Sequence, residues 1–130
     1  MPMPAPSVRS VMTDWRAVVV GFLVGVIAGV FAFALPVIGH IGAGLLGGFV
    51  AGIMAGGGIL RGAWHGLLAG AIGGLLLALG LAIFIAIVGT GVAGPFGLIG
   101  GFGVFTVGAI IAFVLAIDSA IGGAIGGLFG

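Results

Sequence analysis

Residues 44–74, GLLGGFVAGIMAGGGILRGAWHGLLAGAIGG, contain two runs of four glycines that mirror each other around a short turn. Within each run the glycines recur every fourth residue, which keeps them on one slowly drifting face of an α-helix. A face without side chains lets two helix backbones approach closely in lipid. The pattern therefore predicts a helical hairpin in which the two runs face each other. The predicted pairs are Gly56 with Gly62, Gly52 with Gly66, Gly48 with Gly70, and Gly44 with Gly74.

The composition restricts the chain to one class of protein. Hydrophobic residues make up 62% and charged residues 4% of the sequence, with a mean hydropathy of +1.58. Soluble domains are about one quarter charged, and disordered chains need few apolar residues, so both classes are excluded. The apolar runs are continuous rather than alternating, which favours helices over a membrane β-barrel. The sequence therefore predicts an all-α integral membrane protein.

The apolar sequence divides into four segments long enough to cross a bilayer, since a span takes about 20 residues. The predicted helices cover about residues 15–35, 37–55, 62–88 and 98–117. Helices two and three form the central antiparallel hairpin, with glycine-zipper packing between them.

The segments outside these helices are short. Residues 1–13 are Pro-rich and are predicted to be a cytoplasmic N-terminal tail, followed by a single four-helix transmembrane domain over residues 14–130. Residues 89–97, GTGVAGPFG, are expected to interrupt the chain between helices three and four, because Gly and Pro punctuate secondary structure. Residues 118–130 either continue the last helix or form an interfacial tail.

The first helix also carries small residues on one face, at Gly21, Gly25 and Gly29. A chain of this size needs only some of its glycine faces for internal packing. The surplus favours self-association, so we expect a homo-oligomer within the lipid bilayer.

Arginine positions set the expected orientation. Arg9 and Arg16 precede helix one, and Arg61 lies in the turn after helix two. With four spans all three lie on one side, which the positive-inside rule assigns to the cytoplasm. We therefore expect a multi-pass protein of the cell membrane with both termini cytoplasmic. Three or five spans would place the C-terminus outside.

Helix one has an alternative interpretation as a secretory signal. Ala32-Phe33-Ala34 matches the small-x-small pattern of a cleavage site. The apolar stretch is longer than a usual signal core, and we therefore expect the helix to be retained.

The candidate ion-binding or ion-pair residues are Asp118, Arg61, Arg16 and His65, which are predicted to gather with Asp14 at one membrane face. Asp118 follows a long uncharged run, and a carboxylate at membrane depth normally faces protein, water or a partner. Its functional reading is a proton- or cation-binding group, and the alternative is an interfacial residue or a structural ion pair. For His65, pH sensing or metal binding would need further ligands, so an interfacial role is preferred.

Catalytic chemistry has little support in this sequence. The chain has no cysteine, which removes disulfides and thiolate sites. Nothing resembles a nucleophilic triad, paired carboxylates or a metal cluster. A net charge of +1 provides no basic patch for nucleic acid. We therefore expect no enzyme activity, no metal, no cofactor and no nucleic-acid partner.

Three stretches carry a resemblance to a known family: residues 14–18, residues 35–40 and, above all, residues 47–74. They resemble the small glycine-rich membrane proteins of halophilic archaea, a family whose function is unknown. The resemblance covers about residues 14–80 and implies an archaeal cell membrane and a multi-span helical fold. It implies no activity, substrate or catalytic residue.

Two functions remain open from the sequence. The first is a small structural or assembly protein that self-associates through glycine-lined helix faces, or an accessory subunit of a larger membrane complex. The second is an oligomeric ion channel or a proton or cation transporter that uses Asp118. The scarcity of polar groups that could line a path favours the first.

Overall fold

The computed structural model describes residues 12–32 and 34–130, which form four α-helices. They are α1 (Trp15–Ala32), α2 (Pro36–Ala55), α3 (Ile59–Ala93) and α4 (Phe96–Phe129). Each is long and apolar enough to cross a membrane, which confirms the predicted all-helical membrane fold. Most of the predicted tail 1–13, and Phe33 of the suggested cleavage site, lie outside the described residues.

The turn between α2 and α3 is built by glycine, as the sequence predicts. Gly56, Gly57 and Gly58 have φ angles of 58°, 80° and 97°. This left-handed region is costly for residues with a Cβ atom and freely available to glycine. Three consecutive positive φ angles reverse the chain at once, so α3 begins at Ile59 rather than at Gly62.

Helices α3 and α4 are much longer than predicted. They contain 35 and 34 residues, or about 50 Å at 1.5 Å per residue. The interruption expected within 89–97 is present but much shorter than predicted, since only Gly94 and Pro95 separate the two helices. Gly94 provides the turn with a φ angle of 60°. Gly89 and Gly91 do not end α3, in contrast to Gly94 with its positive φ angle.

The C-terminal segment settles the question left open for residues 118–130. It is helical as far as Phe129, so the last helix does not end near residue 117. The ring of Phe129 contacts the ring of Phe49 in α2 edge to face, with the two centroids 6.1 Å apart. The segment therefore belongs to the helical bundle instead of forming a separate tail.

The two glycine runs do not pair with each other, because α4 lies between them. A Cβ atom on Gly52 would lie 2.9 Å from the Cα of Gly123, and one on Gly66 would lie 2.9 Å from the same atom. Gly48 and Gly70 likewise both meet Ser119. The predicted direct pairing is therefore wrong, although the mirrored levels are kept. These two pairs of glycines each face one residue of α4 from opposite sides, whereas Gly44 and Gly74 meet different residues of that helix.

Paired glycines in α4 allow it to contact two helices at once. The first member of each pair faces α2: Gly122 meets the carbonyl of Leu45, and Gly126 meets that of Phe49. The second member faces α3, where a Cβ on Gly127 would lie 3.0 Å from the Cα of Gly62. Consecutive helical residues point about 100° apart, so a Gly-Gly pair can serve two neighbours.

Helix α1 packs antiparallel to α2 and parallel to α3. A Cβ on Gly21 would lie 2.6 Å from the Gly47 carbonyl oxygen, and Val18 joins Ala51 and Ala69 in the buried core. Phe22 contacts Gly73, and Asp14 bonds to His65, so contacting positions on α1 and α3 differ by 51 residues. Met12 and Gly130 consequently lie at the same end of the bundle.

Candidate functional site

A polar clasp at this end joins the chain before α1 to the first turns of α3. The Arg61 Nη2 donates to the Met12 carbonyl at 3.3 Å, and the Trp64 Nε1 donates to the Thr13 Oγ1 at 3.1 Å. The Asp14 backbone N–H donates to the His65 Nε2 at 2.7 Å. Three consecutive residues are thus held by the RGAWH stretch, which fixes where α1 enters the bundle.

His65 is the buried centre of the clasp, with 1% of its surface exposed. Its Nε2 must accept, since a backbone N–H can only donate, and its Nδ1 then donates to the Arg61 carbonyl at 2.7 Å. The hydrogen bonds thereby assign the tautomer with the proton on Nδ1. Both nitrogens are engaged, which leaves no lone pair for a metal ion.

Asp14 and Arg16 have structural positions at the start of α1. The Asp14 Oδ1 accepts from the backbone N–H of Arg16 at 3.0 Å and of Ala17 at 3.4 Å. This is the geometry of an N-cap, in which a carboxylate satisfies the unpaired donors of a first turn. The Arg16 side chain is exposed at the same end.

Asp118 is separate from Arg16, Arg61 and His65, with which the sequence had grouped it. Its neighbour Ser119 contacts Gly70, five residues beyond His65, so the carboxylate lies about 8 Å deeper along the bundle. Asp118 is half-buried beside Gly44, and a Cβ atom placed on Gly44 would lie 3.8 Å from the Cβ of Asp118. Within residues 12–32 and 34–130 it makes no hydrogen bond or ion pair.

A half-open groove of about 310 Å³ lies between the four helices, and we refer to it as the trench. Glycine faces form most of it, including Gly21, Gly25 and Gly29 of the predicted small face of α1. The same contacts that bring α4 between the glycine runs leave α1 farther from α4. Ser119 lines the end of the trench nearer the clasp, and His40 lines the deeper end.

Comparison with protein families places the chain. A model of a family of unknown function, DUF5518, matches residues 15–129. The chain belongs to this family. No curated protein and no solved structure matches this DUF5518 chain. The match covers all four helices, including the segment 118–129.

Sequence reasoning missed both the clasp and the trench of this DUF5518 protein. An N-cap at Asp14 was detectable, because Asp directly precedes an apolar helical run. The bond from Asp14 to His65 joins residues 51 positions apart, and no local pattern indicates it. The trench follows from the packing of four helices and has no signal in the sequence.

Proposed function

We propose that this protein is a small assembly protein that associates with further copies of itself through the tip of the α3–α4 hairpin. The glycine runs cannot be the argument for this, since they contact α4 within one chain. The observation that carries the proposal is the excess length of α3 and α4 over α1 and α2.

The register of α1 against α3 shows how far the α3–α4 hairpin extends beyond the ends of α1 and α2. With contacting positions 51 residues apart, the end of α1 at Ala32 lies level with residue 83 of α3. From Trp64 to residue 83 the bundle already spans about 28 Å, nearly the full hydrocarbon thickness of a bilayer. Residues 84–102, the distal hairpin, extend about 15 Å farther.

The distal hairpin is apolar on its exposed surfaces. Val92 is 85% exposed and Phe102 74% exposed. Its hydroxyl at Thr90 bonds back to the Ala86 carbonyl, as expected for a helix surrounded by apolar groups. Mismatch between a hydrophobic segment and the bilayer drives some helix–helix association, and a second copy would cover the apolar surface that extends beyond the hydrocarbon layer.

A second copy fits this tip because its surface contains open glycines. Gly91 and Gly94 have no atom within 4 Å of a Cβ position, so another backbone can approach closely there. Two identical tips related by a two-fold axis would cover each other's apolar side chains.

Cysteine cross-linking tests the proposal, since the chain has no native cysteine. Val92→Cys, at a position 85% exposed in the tip, is expected to form disulfide-linked dimers in dilute liposomes under mild oxidation. The matched control is Leu60→Cys, 86% exposed at the opposite end of the same helix, which should remain monomeric. Equal cross-linking of both variants, or of neither, contradicts self-association at the tip. Cross-linking of Val92→Cys to another protein in native membranes indicates a larger complex.

The orientation belongs to the same proposal. Arg16 and Arg61 lie at the end of the bundle where α1 begins and α4 ends. The positive-inside rule supports a cytoplasmic position for this end and for both termini. The distal hairpin would then extend toward the opposite face of the cell membrane.

Asp118 supports a second candidate, a proton or cation transporter. It is a half-buried carboxylate without a partner among the described residues, about 8 Å inside the level of His65. Such groups mark ion paths in many membrane proteins.

Flux measurements in liposomes test this candidate. We expect the wild-type protein to conduct protons or cations and Asp118→Asn to lose the flux, because the amide cannot carry the charge. Asp14→Asn is the matched control, since an amide at an N-cap also accepts from the first turn, and it should conduct normally. A wild-type protein without flux, or undiminished flux in Asp118→Asn, removes the candidate.

A further inference from the structure

The trench has the shape of a channel for one slender chain. Its lining runs along α1 from Gly21 to Val30, ten residues that span about 14 Å of helix. The trench is wide because many of its lining residues are glycines, and Ala43, Ala69 and Ala112 form the rest of its walls together with larger apolar side chains. At about 310 Å³ it is roughly twice the engineered protein cavity of about 150 Å³ that binds benzene. An empty space of this size would forfeit many dispersion contacts.

Ser119 provides a polar group that points to a ligand. It is 1% exposed and lines the trench, and its hydroxyl bonds to no described residue. Thr90 and Thr106 show the usual solution for a hydroxyl in a membrane helix, since each donates to the carbonyl four residues earlier. A hydroxyl that borders an apolar groove without a hydrogen-bond partner is costly, so a group from outside the chain is its natural partner.

The position of Ser119 orients that ligand. The residue lies at the end of the trench nearer the clasp, about 8 Å inside the level of His65, whereas the rest of the trench extends deeper. A lipid in the leaflet on the clasp side has its polar and apolar parts in the same sequence, since its ester or ether oxygens lie near the membrane surface and its hydrocarbon chains lie deeper. Water is a poor occupant, because it needs two to four polar partners and the walls are mainly glycine and alanine.

We propose that the trench binds one hydrocarbon chain of a membrane lipid, with the ester or ether oxygen at its head accepting a hydrogen bond from Ser119. The chain lies along the glycine face of α1 and ends near His40. The bound lipid is thereby part of the bundle and joins α1 to α4, which the helices do not do directly.

Photolabelling tests the proposal with the full chain in phosphatidylglycerol vesicles. One arm contains a phosphatidylglycerol probe with a diazirine on a linear ester-linked chain. The other contains a probe with a diazirine on a methyl-branched ether-linked chain. Labelling of the buried Ala69 and Ala112, 3% and 4% exposed, above that of the exposed Leu76 supports the proposal. The arm that labels them identifies the chain type, and no such labelling in either arm overturns it.

Two glycine variants provide the matched comparison. Gly29 lines the trench, and a Cβ there has no atom within 4 Å, so Gly29→Phe fills the space without a backbone clash. Gly80 is equally open but does not line the trench. We expect Gly29→Phe to lose the labelling of Ala69 and Ala112 and Gly80→Phe to keep it, with both variants equally stable in detergent. Equal labelling in the two variants overturns the proposal.

Ser119→Ala tests the polar contact by itself. Alanine fits wherever serine does, so the fold should be retained. We expect native mass spectrometry to find one lipid retained per wild-type chain and about tenfold less in Ser119→Ala, the change for loss of one well-placed hydrogen bond. Equal retention in both overturns the assigned role of Ser119.

Discussion

Gly123→Leu is expected to abolish the folded bundle, because the new side chain would enter the glycine run of α3 while the Gly123 backbone also lies against Gly52 of α2. A Cβ on Gly123 would lie 2.9 Å from the Cα of Gly66 and 3.0 Å from the carbonyl carbon of Gly62. These are backbone atoms of a neighbouring helix, so no side chain can move aside. We expect the free energy of unfolding to fall by at least about 3 kcal/mol, at the upper end of overpacking effects. Unfolding in mixed micelles, followed by circular dichroism, measures the change.

Gly103→Leu is the matched control on the same helix. A Cβ at Gly103 has no atom within 4 Å, and leucine favours a helix more than glycine does. Its free energy of unfolding should be unchanged or slightly higher. A loss in Gly103→Leu equal to that in Gly123→Leu would mean that the close approach of α4 to α2 and α3 does not stabilise the fold.

His65→Ala is expected to release the chain before α1 from α3. The variant loses two hydrogen bonds, each of 2.7 Å, at a side chain that is 1% exposed. The cavity left behind and the Asp14 N–H without its partner together cost about 2–4 kcal/mol. Thermal unfolding in detergent and faster proteolysis of the N-terminal segment measure the effect.

Trp64→Phe is the control for the clasp, because it removes only an exposed hydrogen bond to Thr13. Its cost should be at most about 1 kcal/mol. If the two variants lose equal stability, His65 does not have the central position in the clasp that we assign to it.

The predicted helix types were correct because composition alone excludes other folds in lipid. The predicted ends of α3 and α4 were wrong because Gly and Pro were given their meaning from soluble proteins. In Thr90-Gly91 the helix continues, since a glycine inside a helix lowers its stability without breaking it. Only the positive φ at Gly94, together with Pro95, reverses the chain.

The candidate site was less predictable. Asp14, Arg61 and His65 were expected at one end of the bundle and lie there. Asp118 was grouped with them while the sequence left open whether its helix ends near residue 117 or continues. Since α4 continues to Phe129, the carboxylate lies deeper and beside Gly44.

The sequence by itself determined that this is a membrane protein, that it has four helices, and which glycines of the two runs lie at the same height in the bundle. These follow from local facts: apolar content, helix periodicity and the left-handed glycines at 56–58. Only the tertiary structure decided which helix each glycine face contacts. A helix face of glycines can pack closely against any other face of small residues. It therefore indicates a close approach between helices but does not indicate which helix is the partner. Helix α4 supplied the partner for both runs, with its glycines near the clasp and with Ser119 and Ala112 farther along. The trench is the space that this packing left open.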